Sequence, residues 1–403
     1  MFNVKHEVII TQRPNATYPK RGKVIRMEFL ESFEITSTWD QLTDNGTLTL
    51  PSNVYYYDEY NQLRALSGFN VNIGGLNKEP LFMRGDAIEL KSGYRYADYA
   101  LNRRVTEMHT IINGYISKVS STIPIRLNIE DSMWLLKQTP MENRTYSNAD
   151  TLESILKNIV DTVNASQNTK LTFRALTTTN FGQFVVENET ASQLLNRLNT
   201  IYNFKFYFKG TELRGGALVY YQDDAVTHNF VMNGIEGNVL ASGQELEYQR
   251  RDDIVLSAIA HNTVTKKMGG QTKDGNDKTA KVRIEVLCTI KNGVKTTKVI
   301  NPGDRVPEAT EGERRTYFYP SATTTDELAT LAFEELERYF YNGLKGSFMA
   351  FGIPHVKHGD NVRIKNPKQP EQDGLYRVRM VSYSGGNGNR QRIELHYKLA
   401  QND

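Results

Sequence analysis

The sequence predicts a mainly β protein with an α/β insertion, built on two related β-barrel-like domains. Three observations carry this. The C-terminal stretch from Gly359 to Tyr397 alternates apolar and polar residues in three pieces, Gly359–Ile364, Asp373–Val381 and Arg392–Tyr397. That alternation marks strands with one buried face. Pro367, Pro370 and Gly374, then Gly385, Gly386 and Gly388, break the pieces apart, so they form a three-stranded antiparallel meander. The second observation is an earlier echo: Gly85-Asp86 opens an alternating piece to Leu90, followed by Asn113–Val119 and Ile125–Asp131. The third is a helical segment lying between the two meanders.

The first copy of the meander is longer. Gly85 and Gly114 are 29 residues apart, against 15 for Gly359 and Gly374. The excess, Lys91 to Arg104, is polar and tyrosine-rich, which suits an extended loop or hairpin. If the copies match, Ile88 aligns with Val362 and Tyr115 lies near Tyr376.

Taken in order, residues 1–80 read as strands at Lys5–Thr11, Val24–Glu31 and Phe33–Thr38. The turn Asp44-Asn45-Gly46 then opens a strand that ends at Pro51. With 81–131 this gives a first β-barrel-like domain, 1–140, of about seven strands. Residues 141–235 form the inserted α/β segment. Asp150 and Glu153 have the spacing of a capping box. Behind them Leu152, Ile155, Leu156, Ile159, Val160 and Val163 repeat at helical spacing. A second helix starts at Thr190 and carries Ala191, Leu194, Leu195, Leu198, Ile201 and Tyr202 on one face. The strand Phe204–Phe208 follows it, and a turn at Gly215-Gly216 leads into Leu218–Tyr221.

The second β-barrel-like domain is 236–403. It has strands at Leu246–Tyr248, Ile254–Ala260 and Val282–Val286, and a hairpin turn at Asn292-Gly293 returning through Lys295–Ile300. Lys266 to Lys281 lacks apolar periodicity and is dense in breakers, so a mobile loop is expected. A last helix is predicted over 325–342, capped at Thr324 with Glu327, with Gly343 as its left-handed C-terminal residue.

Bulk properties narrow the function. At 403 residues the chain exceeds the ~250–300 at which single cores stop growing. A net charge of +3 makes no case for nucleic acid or an anionic membrane. No apolar run approaches the ~20 residues needed to span a bilayer, and the first residues do not read as a signal peptide. The single cysteine, Cys288, rules out an internal disulfide framework and fits a reducing cytoplasm. The 22 tyrosines suit strands and protein interfaces.

No catalytic, cofactor-binding or metal-binding residue is expected. His355 and His358 have an i, i+3 spacing, but Pro354 and Gly359 place them in a turn, without Cys or Glu-rich partners. Gly385–Gly388 lacks the following helix and Lys-Ser/Thr of a phosphate loop. No Gly-x-Ser-x-Gly elbow exists, and no segment singles out a pair of glycosidase carboxylates. Glu334, Glu335 and Glu337 read as a solvated helix face. The basic stretch 266–281 carries aspartates and no aromatics, which fits a solvated loop better than a nucleic-acid contact.

The stretch Phe184–Leu198, with Glu189-Thr190-Ala191 opening its helix and an aromatic strand behind it, resembles a segment of phage baseplate hub proteins. So does the linker Val231–Leu240 that follows, and so do the Gly359-Asp360 and Gly374-Leu375-Tyr376 strands. The family takes in the Mu-type tail hub, the late-control tail proteins and the N-terminal half of VgrG-like spikes. The similarity runs in order and spacing over nearly the whole chain, though each motif is short and none is catalytic.

The resemblance implies a homotrimeric structural protein whose two barrels per chain make a ring of six. Such a ring is a symmetry adaptor between a hexameric tail tube and a trimeric spike. It implies tail tube, spike and other baseplate proteins as partners, and passage of DNA through the lumen. It also implies a place in the virion tail or baseplate, after assembly in the bacterial host cytoplasm. Because the sequence stops at Asp403 without a β-helix or oligonucleotide-binding domain, the spike is expected to be a separate protein. The other function classes are a tail-associated cell-wall hydrolase and a receptor- or glycan-binding module.

Overall fold

The computed structural model of the chain describes residues 3–51, 54–58, 60–66, 79–98, 102–120, 124–147, 149–177, 183–216, 224–233, 237–271, 277–309, 311–320 and 322–399. The N-terminal part carries nine strands where about seven were expected. They are β1 (Asn3–Thr11), β2 (Val24–Met27), β3 (Ser32–Thr38), β4 (Asn45–Leu50), β5 (Val54–Tyr57), β6 (Leu63–Leu66), β7 (Ala87–Asp98), β8 (Arg103–Val119) and β9 (Ile125–Glu130). The polar stretch after Leu90 is a hairpin: β7 and β8 pair antiparallel out to Asp98 and Arg103.

The insertion follows as helix α1 (Met133–Gln138), β10 (Arg144–Tyr146), α2 (Leu152–Gln167), β11 (Thr172–Ala175), β12 (Phe184–Val186), α3 (Ala191–Tyr202), β13 (Lys205–Lys209) and β14 (Glu212–Gly216). Both long helices start at a reciprocal cap. Thr190 and Gln193 cap α3 as the spacing predicts. At α2 the cap is Thr151 with Ser154, not Asp150 with Glu153. Asp150 instead accepts the Ser147 amide at 2.7 Å and closes the preceding turn. The apolar faces of α2 and α3 bury Leu152, Ile155, Ile159, Leu194, Leu195 and Leu198 in one core with Phe204, Phe206 and Leu213. Ile201 does not join them and is exposed. Gly215 and Gly216 lie in β14 rather than in a turn. The turn is at Gly210-Thr211, between β13 and β14. The expected strand Leu218–Tyr221 falls outside the described residues.

The C-terminal part contains β15 (Thr227–Val231), β16 (Val239–Arg250), β17 (Leu256–Gln271), β18 (Asp277–Lys291), β19 (Val294–Ile300), β20 (Glu313–Phe318), α4 (Thr325–Glu337), β21 (Asn342–Phe351), β22 (Asn361–Lys365), β23 (Gly374–Gly385) and β24 (Asn389–Lys398). Strands β17–β20 make their own four-stranded sheet, with Leu328, Ala332 and Leu336 of α4 on its buried face. Most of 266–281 belongs to this sheet and is not a loop. Lys266–Gln271 ends β17 and Asp277–Lys281 begins β18, and the two are paired. β20 pairs only Leu256–His261 and β19 only Glu285–Lys291, so beyond these the hairpin runs on as a two-stranded ribbon. Thr324 and Glu327 cap α4 as predicted, but the helix stops at Glu337. Gly343 lies in β21, not at a helix C-terminus.

The remaining strands form one 15-stranded sheet, running β16-β21-β24-β23-β3-β4-β9-β8-β7-β1-β2-β5-β6, with β22 beside β23 and β15 beside β22. Two sets of five strands within it match: β3-β4-β9-β8-β7 and β16-β21-β24-β23-β22. They have the same spatial order, the same chain order and the same antiparallel pairing. A sixth strand flanks each set, but β1 runs antiparallel to β7 while β15 runs parallel to β22. The two sets share one apolar core, with Ile35, Leu48, Ile116 and Leu127 from the first and Phe348, Val378, Val381 and Ile393 from the second.

The match holds bond by bond at the Gly-Asp turns. Gly85 N–H donates to the Ile116 carbonyl at 2.8 Å, and Gly359 N–H to that of Val378 at 2.9 Å. Ile116 and Val378 donate back to the Asp86 and Asp360 carbonyls, both at 2.9 Å. The Asp86 carboxylate accepts the Met83 amide at 2.8 Å, and the Asp360 carboxylate the Lys357 amide at 2.9 Å. Ile88 therefore matches Val362, as expected. Tyr115 does not match Tyr376. Opposite Ile88 stands Gly114, and opposite Val362 stands Tyr376, so Tyr115 takes the place of Arg377. The one-residue difference turns Tyr115 to the other face of the sheet, where it stacks on Trp134 of α1 at 5.3 Å.

Candidate functional site

Three parts of the chain meet at a cleft of ≈ 350 Å3. The β3–β4 turn brings Asp44, the end of β9 brings Asp131, and the insertion brings Tyr207 and Arg214. The turn before β22 brings His355, His358 and Asp360, and β23 brings Tyr383.

Asp131 is buried and Asp44 half-buried beside it. Asp44 accepts from the Ser37 hydroxyl at 2.5 Å and the Thr38 amide at 2.9 Å. Asp131 accepts from the amides of Met133 at 3.0 Å and Asp44 at 3.2 Å. Burial pushes the Asp44 carboxyl up to about 7 against these hydrogen bonds. Asp131 is raised well above its ordinary value, first by burial and then by the Asp44 charge. Two like charges this close in an apolar setting do not both ionise readily. Asp131 accepts the amides of both Asp44 and Met133, so the pair pins the β3–β4 turn to the start of α1.

Arg214, His228 and Tyr383 are matched within the protein, whereas the buried His355 Nε2 has no hydrogen-bond partner among the described residues. Arg214 donates to Asp224 at 2.6 Å and to Glu212 at 3.0 Å. His228 lies 3.0 Å from Asp360. The Tyr383 hydroxyl donates to the Val356 carbonyl at 2.6 Å. His355 stacks between His109 and Tyr383, with ring centroids 4.9 and 5.2 Å away. His358 meets Tyr207 edge-on at 5.1 Å. Burial lowers the two histidines to about 3 and about 4. They are therefore neutral packing groups at ordinary pH, held in separate ring contacts. Among the described residues, no three His, Cys, Asp or Glu side chains are placed to hold a metal ion. The cleft has the character of a joint that fixes the insertion against the two five-strand sets. The Asp44–Asp131 pair was not singled out by sequence. Asp131 reads there as the end of an alternating strand, and nothing local points from it to Asp44.

The remaining surface of interest is the sheet edge. β3 is covered on both sides, by β4 and by β23. Its counterpart β16 pairs only with β21 and ends the path of the sheet among the described residues. The β5–β6 end presents exposed Tyr55, Tyr57, Tyr60 and Leu63.

No protein-family model matches the chain, and no curated protein sequence matches it. Solved structures do. A tail protein from Neisseria meningitidis MC58 aligns over 97% of this chain and 96% of its own length, with a TM-score of 0.52 and 12% identity. The 43 kDa tail protein of prophage MuSo2 from Shewanella oneidensis aligns over 97% of this chain and 98% of its own, with a TM-score of 0.51 and 13% identity. This is the fold of phage tail proteins. The tail-protein fold thus extends over nearly the whole chain, as the resemblance read from Phe184–Leu198 and the Gly-Asp strands implies. At this identity the similarity concerns backbone architecture and transfers no residue role.

Proposed function

We propose that the chain is a structural hub protein of a phage tail or phage-like injection system. In this reading it is a homotrimeric adaptor between a hexameric tail tube and a trimeric spike. The observation that carries the reading is the five-strand set occurring twice within a tail-protein fold. Three chains with two sets each supply six similar positions, which suits a sixfold tube on one side and a threefold spike on the other. Cyclic closure also satisfies open strand edges without runaway growth. Within the chain, 1–140 and 236–403 act as the two barrel-like domains, and 141–235 braces them through the cleft. The chain sits in the tail or baseplate of the virion after assembly in the host cytoplasm. Its partners are the tube, a spike and other baseplate proteins, and the lumen of the ring either passes DNA or is plugged.

The amide and hydroxyl hydrogen bonds that Asp44 and Asp131 accept fit a structural role for the cleft. Antibody-gold labelling of purified tails tests the reading: label is expected at one end of the tube. Label along the tube, or none on the particles, contradicts it. Release of soluble fragments from purified cell walls by the isolated chain would favour the hydrolase instead.

A further inference from the structure

The seam between the two five-strand sets is itself a strand pairing. Met380–Gly385 of β23 pairs antiparallel with Phe33–Thr38 of β3, with Met380 opposite Thr38, Val381 opposite Ser37 and Ser382 opposite Thr36. Each partner has a counterpart in the other set, and the register fixes which residues correspond.

For β23 the counterpart is β8. Ile116 opposes Ile129 as Val378 opposes Leu395; after one irregularity, Lys118 opposes Asn128 as Met380 opposes Glu394. Lys118, Val119 and Ser120 thus stand where Met380, Val381 and Ser382 stand. For β3 the counterpart is β16. Ile35 opposes Gly46 as Leu246 opposes Gly346. Both glycines are forced by the same close approach: a Cβ on Gly46 would meet the Glu34 carbonyl oxygen, and one on Gly346 that of Glu245. Thr36, Ser37 and Thr38 therefore correspond to Glu247, Tyr248 and Gln249.

Within one chain these counterparts do not pair. The outer edge of β16 is open among the described residues. On β8, the pairing with β7 ends at Tyr115, which leaves the edge of Lys118–Val119 opposite β9 without a strand among the described residues. The side chains are half-finished in the same sense. Val119, Leu246 and Tyr248 pack on the shared core yet remain only partly buried, whereas Val381 and Ile35 at the seam are buried. Unpaired edges with apolar side chains behind them favour addition of another strand.

We propose that β16 of one copy pairs antiparallel with the Lys118–Val119 end of β8 in a second copy of this chain, in the register of the internal seam. Lys118 then faces Gln249, Val119 faces Tyr248 and Ser120 faces Glu247. Lys118 also lies diagonally across from Glu247 on one face, within reach of a long side chain. The internal seam and the seam between chains become successive instances of one contact, so the main sheet continues from chain to chain. This rests on the ring reading given above and names the surface that builds the ring.

Disulfide trapping tests it, because opposed residues of an antiparallel pair lie within the Cα range a disulfide needs. The native Cys288 is buried, its thiol pushed up to about 11, and does not compete. Differently tagged Val119→Cys and Tyr248→Cys chains are produced together and oxidised. A covalent dimer carrying both tags is expected, absent when either variant is oxidised alone. Pairing Val119→Cys with Glu245→Cys, which shifts the register and the face, should trap several-fold less. Thermal unfolding of each variant confirms that it folds. If wild-type chains form a trimer by native mass and no mixed dimer is trapped, the edge pairing is overturned while the hub reading stands. If the chain is monomeric both alone and in purified tails, both fall.

Discussion

The two five-strand sets share their pairing but differ in what surrounds it. In the N-terminal set the β3–β4 connection is a short turn, pinned by Asp44 and Asp131, and the outer edge of β3 is covered by β23. In the C-terminal set the same connection, between β16 and β21, carries the whole four-stranded sheet and α4, and the outer edge of β16 is open among the described residues. A hairpin tip is where a chain tolerates insertion, because the strands on either side remain paired. The comparison teaches that pairing register is the invariant part of the module. Tips, flanking strands and edge partners are where the copies diverge.

The largest expected difference lies at the matched aspartates. Asp86 faces the fully buried guanidinium of Arg21 at 2.5 Å, whereas Asp360 faces the His228 ring at 3.0 Å. Asp86→Asn leaves the buried Arg21 with only Glu79, 3.9 Å away and partly exposed, as counter-charge, and should cost about 3–5 kcal/mol. Asp360→Asn keeps a hydrogen-bonding partner for the His228 ring and should cost about 1 kcal/mol. Urea titrations of both variants measure this. Equal losses would mean that the two turns are held alike.

Gly46 and Gly346 come next. Alanine at either meets backbone on the neighbouring strand, which cannot yield as a side chain can, so each should lose about 1–3 kcal/mol. The Cβ would stand 2.1 Å from the Glu34 oxygen in one case and 1.9 Å from the Glu245 oxygen in the other. Unchanged stability in either variant would break the equivalence of β3 with β16.

The smallest effect is a slope. Asp44 titrates near 7 in the folded chain and at about 3.9 when unfolded. Between those values the folded chain holds a proton that the unfolded chain has released, so this group's contribution to stability falls as pH rises through that window. His355, His358 and His396, lowered to about 3, 4 and 3, act oppositely: the unfolded chain takes up protons below about 6.5, so stability falls with acid. Subtracting wild type from Asp44→Asn isolates the carboxyl. The variant should gain relative stability from about pH 4 to 7, and a flat difference would show that the β3–β4 turn is not pinned by a protonated acid.

Much of this was legible in the sequence where the signal is local. The Gly-Asp turns, the closing strands and the Thr190 and Thr324 caps each lie within a few residues. The α2 cap missed by one residue, but the larger failures come from partners or packing that local sequence does not carry. Tyr115 and Tyr376 look equivalent by their neighbouring glycines, but the partner register sets the face. The ribbon of β17 and β18 reads as a loop because strands outside a sandwich have little apolar face to reveal them. Helix α1 is short, and its Met133–Leu136 run is buried on all sides, so it has no amphipathic rhythm. The seam of β3 with β23 joins residues more than three hundred positions apart, beyond the reach of any periodicity.

The central claim is that two modules per chain build a ring of six from three chains. The copy number of this chain in purified, intact tails, obtained from native mass of the particle or its dissociated hub, tests that most directly. Three copies per tail end are expected. A single copy, or six, would contradict the account.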